Sequence, residues 1–150
     1  MATGNSTIAT ATAPVVVEKI YNAPVQKVWK AITDRDQMAQ WYFDLKEFRP
    51  EVGFEFTFYG GDENKQWEHH CRVTSVVPNS KLAYTWRYPG YAGESLVTFE
   101  LFDQNGKTKL VLTHTGLDTF PKEEKGFRKE NFEKGWNEII GTSLKNYVEK

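Results

Sequence analysis

The chain has a single cysteine, Cys71, among its 150 residues. No intramolecular disulfide can form, so the fold has to rest on its core, and a reducing setting such as the cytoplasm is expected. Excess charge of one sign is also missing. Nineteen Lys and Arg stand against 20 Asp and Glu, for a net charge of −1. With no basic stripe, nucleic acid is not an expected partner. No stretch approaches the roughly 18 apolar residues of a membrane span. The opening MATGNSTIATATAP holds no Lys or Arg and no long apolar run, so it lacks the parts of a secretion signal. Residues 1–13 are expected to form a disordered leader, followed by one domain over residues 14–150. The sequence also lacks a G-x-S-x-G elbow and a phosphate-cradling glycine loop. No catalytic residue and no cofactor is assigned.

Large rings are abundant: five Trp, seven Tyr and ten Phe, or 15% of the chain. In a small domain such rings either form a bulky core or line a pocket.

Periodicity organises the chain. Val15–Tyr21 opens with a β-branched run and reads as a strand. Pro24 suits the start of a helix, and Val25, Val28, Trp29 and Ile32 follow at helical spacing. Asp34 and Gln37 are spaced as a capping box for a second short helix ending near Trp41. Strict alternation then begins. Phe54, Phe56 and Phe58 share a face, and later Leu82, Tyr84, Trp86 and Tyr88 do the same. Val97, Phe99 and Leu101 form a third set, and Thr108, Leu110, Leu112 and His114 a fourth. Asn105-Gly106 is a strong hairpin signal. Short turns between successive strands predict an antiparallel meander. The stretch GLDTFPKEEKGFRKEN is expected to be a polar loop or broken helix. After it, Phe132, Trp136, Ile139, Ile140, Ser143, Leu144 and Tyr147 fall on one arc of a long terminal helix, which should lie over the aromatic strand faces.

Four motifs occur in that order: NAPVQKVWKAITDRDQMAQW, LAYTWRY, LVTFELFDQNGKTKLVLTHTG and GWNEIIGTSLKNYVE. Together they resemble the AHSA1-like branch (activator of Hsp90 ATPase homologue) of the START/Bet v 1-like superfamily, also called SRPBCC domains. The resemblance runs from about Val15 to the end. It implies an α+β helix-grip fold, with a curved antiparallel sheet wrapped around the long C-terminal helix and two short helices after the first strand. It also implies a cavity between sheet and helix, but no particular reaction.

Several side chains carry candidate chemistry. His69, His70 and Cys71 are metal-binding types, but neighbours on a strand point to opposite faces and no third ligand is evident, so no metal is expected. His114 has inward phase at a strand end and should face the helix near Trp136. It is either a polar group that orients a ligand or moves a proton, with Glu133, Tyr84 and Tyr147 as candidates by phase for a second proton carrier, or a satisfied core histidine. Glu133, at the edge of the apolar arc, either pairs with His114 or is solvated near the helix start. A ligand-binding cavity is expected to draw on Phe56, Tyr84, Trp86, Val97, Phe99, Leu112, His114, Trp136, Ile140 and Ser143, all inward by phase. The function expected is a binding module for a hydrophobic or aromatic small molecule. The alternatives are a co-chaperone-type protein-interaction domain, with a chaperone as partner, or a cyclase/aromatase-like enzyme using the same cavity.

Overall fold

The computed structural model describes residues 13–61 and 65–150. The expected leader lies outside the described residues, save for Ala13. The elements run β1 (Val15–Tyr21), α1 (Val25–Thr33), α2 (Arg35–Trp41), β2 (Glu55–Gly61), β3 (Gln66–Val77), β4 (Lys81–Trp86), β5 (Ser95–Gln104) and β6 (Lys107–Thr115). The C-terminal helix comprises α3 (Lys129–Glu138), a π-helical turn (Ile139–Ser143) and α4 (Leu144–Val148). Among the described residues no helix is long and apolar enough to cross a membrane.

The six strands form one antiparallel sheet in the order β1-β6-β5-β4-β3-β2. The hairpin signal is realised: Asn105 and Gly106 both take positive φ, 57° and 89°, as a tight turn of mirror-image type requires. The alternation is realised as well. Phe56, Phe58, Tyr84, Trp86, Val97, Phe99, Leu110, Leu112 and His114 are all buried. The asserted capping box is not: Asp34 caps α2 by position, but its side chain makes no capping hydrogen bond.

The first and second strands lie at opposite edges of the sheet. Residues 22–54 must therefore cross from one edge to the other. They do so through α1, α2 and an irregular segment, residues 42–54, that delivers Tyr42, Phe43, Leu45 and Phe48 to the core. The stretch expected to be a polar loop or broken helix also contributes to the core. It forms two 3-10 turns, Leu117–Thr119 and Lys125–Phe127, and buries Leu117, Phe120 and Phe127. Its composition is polar, but three apolar residues spaced without period close one end of the grip.

In the C-terminal helix the buried residues are Phe132, Trp136, Ile140, Leu144 and Val148, every fourth position. An α-helix advances about 100° per residue, so Val148 would sit about 160° from Phe132. The π turn slows that advance. In it the Leu144 N–H reaches back to the Ile139 carbonyl, five residues earlier. The Tyr21 hydroxyl donates to the Ile140 carbonyl at 2.6 Å, tying the widened turn to β1.

Candidate functional site

The ten inward positions converge between sheet and helix. Nine are buried and Ser143, in the π turn, is partly so. Their centre is His114, a fully buried imidazole with both nitrogens engaged. The Trp136 indole N–H donates to Nδ1 at 2.9 Å. Ser95 Oγ lies 2.7 Å from Nε2 and 3.2 Å from the Trp86 carbonyl. Because an indole nitrogen only donates and a carbonyl only accepts, the direction of the chain is fixed. Trp136 donates to Nδ1, Nε2–H donates to Ser95, and the Ser95 hydroxyl donates to the Trp86 carbonyl. The ring is therefore neutral and protonated on Nε2. Trp86, Phe132 and Trp136 wall it in, with ring centroids 5.3, 5.1 and 6.0 Å away. Burial lowers its pKa from 6.5 to about 3, with a smaller contribution from His69.

A Ser–His pair at 2.7 Å resembles a nucleophile and its base. The polarity is reversed, however. A base needs a free lone pair on the nitrogen facing the serine and an acceptor behind the other nitrogen. Here the nitrogen facing Ser95 carries the proton, and a donor stands behind the ring. Among the sequence candidates for a second proton carrier, Glu133 is exposed, Tyr84 bonds to Tyr42, and Tyr147 lies beside the Lys150 ammonium. None of them meets His114. Ser95 was missed in the sequence, although it sits two residues before Val97 and so has the same inward phase.

His69 and Cys71 share the inner face, as alternation implies, and both are buried. Among the described residues no group of three or more His, Cys, Asp or Glu is placed to hold a metal ion. His69 Nδ1 lies 2.9 Å from the Trp67 carbonyl, so that nitrogen carries its proton. Burial lowers this histidine to about 4. Burial also raises the Cys71 thiol.

Two rings absent from the sequence candidates enter the space between sheet and helix. Tyr42 lies 6.1 Å from Trp136, 5.9 Å from Phe58 and 4.9 Å from Trp41 by ring centroid. Its hydroxyl meets that of Tyr84 at 2.8 Å. Burial raises the pKa of both phenols, so both stay protonated. Phe43 stacks on Phe58 at 4.5 Å and 18°, and Phe58 stacks on His69 at 4.5 Å and 9°. Both Tyr42 and Phe43 are only partly buried. Nothing periodic marks them, because they belong to the irregular crossing segment.

Comparison with known proteins places this architecture. The profile of the family described as "Activator of Hsp90 ATPase homolog 1-like protein" matches residues 22–149. No protein of curated function matches the chain. Among solved structures, the chain is similar to DynU16, a protein of the dynemicin biosynthetic locus, with 25% identity and a TM-score of 0.74. That match covers 93% of this chain but only 48% of DynU16, so the chain spans about half of that relative's length. Protein BH1534 from Bacillus halodurans is 27% identical, with a TM-score of 0.74 and coverage of 93% of this chain and 99% of that one. Mll3558 from Rhizobium loti shares the fold, with a TM-score of 0.78 at 19% identity over 91% of this chain and 96% of the other. The six-stranded curved sheet gripping a long terminal helix, together with the profile match over most of the chain, makes this protein a member of the AHSA1-like family, within the Bet v 1-like SRPBCC superfamily.

Proposed function

We propose that this domain binds a hydrophobic or aromatic small molecule between the sheet and the C-terminal helix. One observation carries the proposal. On the β2 side, the space between sheet and helix is filled by Tyr42 and Phe43, partly exposed rings from an irregular segment, and not by strand or helix residues alone. Rings held on a loop can move without unravelling a strand or helix, and the space they leave is walled by Phe58, Trp86 and Trp136. Aromatic walls with a few placed hydroxyls are the usual lining of a small-molecule site. Tyr84 supplies such a hydroxyl once Tyr42 withdraws. A connection longer than about 12–15 residues without regular structure is uncommon and is usually either a functional loop or a linker. Residues 42–54 reach that length. The similarity to DynU16 agrees with small-molecule work, since that protein belongs to a biosynthetic locus. A lone buried thiol suits a cytoplasmic setting.

Native mass spectrometry of freshly purified protein tests the proposal, together with NMR of the Trp86 and Trp136 indole N–H signals during titration with aromatic probes. The expected result is a co-purifying small molecule, or a saturable shift of both indole signals. If no small molecule co-purifies and no probe moves either signal, the proposal fails and the co-chaperone-type alternative, working through the surface, takes its place.

A further inference from the structure

We infer that Phe43 is an internal stand-in for the ligand: a flat aromatic ring of the incoming molecule takes Phe43's place on Phe58, above Gly60. This rests on the proposal that the domain binds a small molecule, and it names the ring subsite and the ligand chemistry that fits it.

Three observations carry the inference. The first is a cluster of near-parallel rings. Phe43, Phe58 and His69 lie nearly parallel, with interplanar angles of 18° between the first two and 9° between the second two. Phe58 and His69 belong to paired strands and face each other in register. Phe43 lies 4.5 Å from Phe58 and 6.1 Å from His69, beside that ring rather than at the end of a column, and it is the only one of the three supplied by the irregular segment. Offset parallel stacking is what a planar aromatic guest would reproduce.

The second is the seat. A Cβ built on Gly60 would lie 2.6 Å from Phe43 Cε1 and 3.1 Å from Cζ. The ring thus rests directly on the β2 backbone, and only a residue without a side chain allows it. What such a Cβ meets is the far end of a side chain, so a methyl group there would push the ring away and leave the strand in place.

The third is the way the segment is held. Downstream of Phe43, Arg35 anchors it through its Nε–H to the Leu45 carbonyl and through its guanidinium to Asp44 at 2.8 Å. Upstream, the Tyr42 N–H bonds to the Met38 carbonyl. Between these anchors the two rings are held by stacking and by the Tyr42–Tyr84 hydroxyl contact. The Phe43 carbonyl accepts from the Leu45 N–H at 3.1 Å, so the backbone is fixed and it is the two side chains that swing out.

A protein whose binding-competent state is only a fraction of the population binds more weakly by that fraction. Displacing the plug should therefore tighten binding of an aromatic probe. The test is fluorescence titration with anilinonaphthalene sulfonate at neutral pH, on wild type, Phe43→Ala, Gly60→Ala and Tyr42→Phe. Phe43→Ala opens a hole, and a hole alone would bind the probe. Gly60→Ala adds volume, and Tyr42→Phe removes only a hydroxyl. Circular dichroism establishes that each variant is folded. If the plug is closed about nine-tenths of the time, removing it tightens the apparent Kd about tenfold. The expected result is tightening in all three variants, largest in Phe43→Ala. Tightening in Phe43→Ala alone, with Gly60→Ala and Tyr42→Phe like wild type, overturns the inference and attributes the effect to the hole. Binding by wild type that none of the variants alters also overturns it, yet leaves the small-molecule proposal standing. No binding by any of the four proteins overturns both.

Discussion

The indole N–H of Trp136, on the C-terminal helix, points at Nδ1 of His114, on β6, from 2.9 Å away. Helix and sheet are thus joined at their centre by a directed hydrogen bond as well as by ring packing. The bond continues through Nε2–H to Ser95 and on to the Trp86 carbonyl. Every member is buried. Such a chain stabilises only when each partner is present, because a buried group left without one keeps the full cost of its lost hydration.

That argument sets an order for substitutions. Trp136→Ala removes a large core ring and should cost about 3–5 kcal/mol. Trp136→Phe keeps most of the ring but leaves Nδ1 without a donor, and Ser95→Ala leaves Nε2–H without an acceptor. Each should cost about 1–3 kcal/mol. Urea denaturation with a common slope measures all three. A loss under about 1 kcal/mol for Trp136→Ala would mean that the ring does not bear on the core.

The two buried histidines should also differ in tautomer. His114 receives a hydrogen bond at Nδ1 and so carries its proton on Nε2. His69 faces a carbonyl with Nδ1 and so carries its proton there. Long-range proton–nitrogen NMR separates the two forms by the nitrogen shifts of each ring. An Nδ1 proton on His114 would break the directed chain described above, and an Nε2 proton on His69 would break its bond to the Trp67 carbonyl.

Stability should fall in mild acid. The folded-state pKa values of His114 and His69 are lowered to about 3 and about 4, from an ordinary 6.5. Below pH 6.5 the unfolded chain binds protons at these sites and the folded protein does not, so protons favour unfolding. The contribution of each histidine is complete above pH 6.5. It is lost progressively as the pH falls toward 4 for His69 and toward 3 for His114. Denaturation midpoints measured between pH 7 and pH 4 should decline. His69→Phe, which keeps a ring in the stack on Phe58, should make that decline shallower. An equal slope in wild type and His69→Phe would show that His69 titrates normally.

How much of this was legible beforehand follows from where period holds. In β2 and β6 it holds to the residue, and in β4 the buried Ala83 is the exception, so Tyr84, Trp86, Phe99, Leu112 and His114 could be placed inside from spacing alone. The meeting of His114 with Trp136 also followed from phase, since both fall on the faces that oppose each other. What it led to did not. Whether a buried imidazole is free for a ligand or spent on its neighbours depends on hydrogen-bond direction, which spacing does not carry. Tyr42 and Phe43 were invisible for a different reason. An irregular segment has no repeat, and its burial is imposed by the crossing from one sheet edge to the other. Val148 escaped because a uniform 100° step turns it away from the sheet, whereas the π turn brings it back.

That turn leaves the helix with one residue more than ordinary winding needs. Removing the exposed Thr142 should therefore let Ile139–Ser143 relax to a plain α-helical turn, while Leu144 and Val148 keep their seats against the sheet. Removing Lys134 instead, an exposed residue in the regular part, should rotate everything beyond it by about 100° and strip the core of Trp136, Ile140 and Leu144 together. Of two deletions equal in length and in surface character, the first should give a folded protein and the second an insoluble one. The helix carries slack of one residue, and it carries it at a single address.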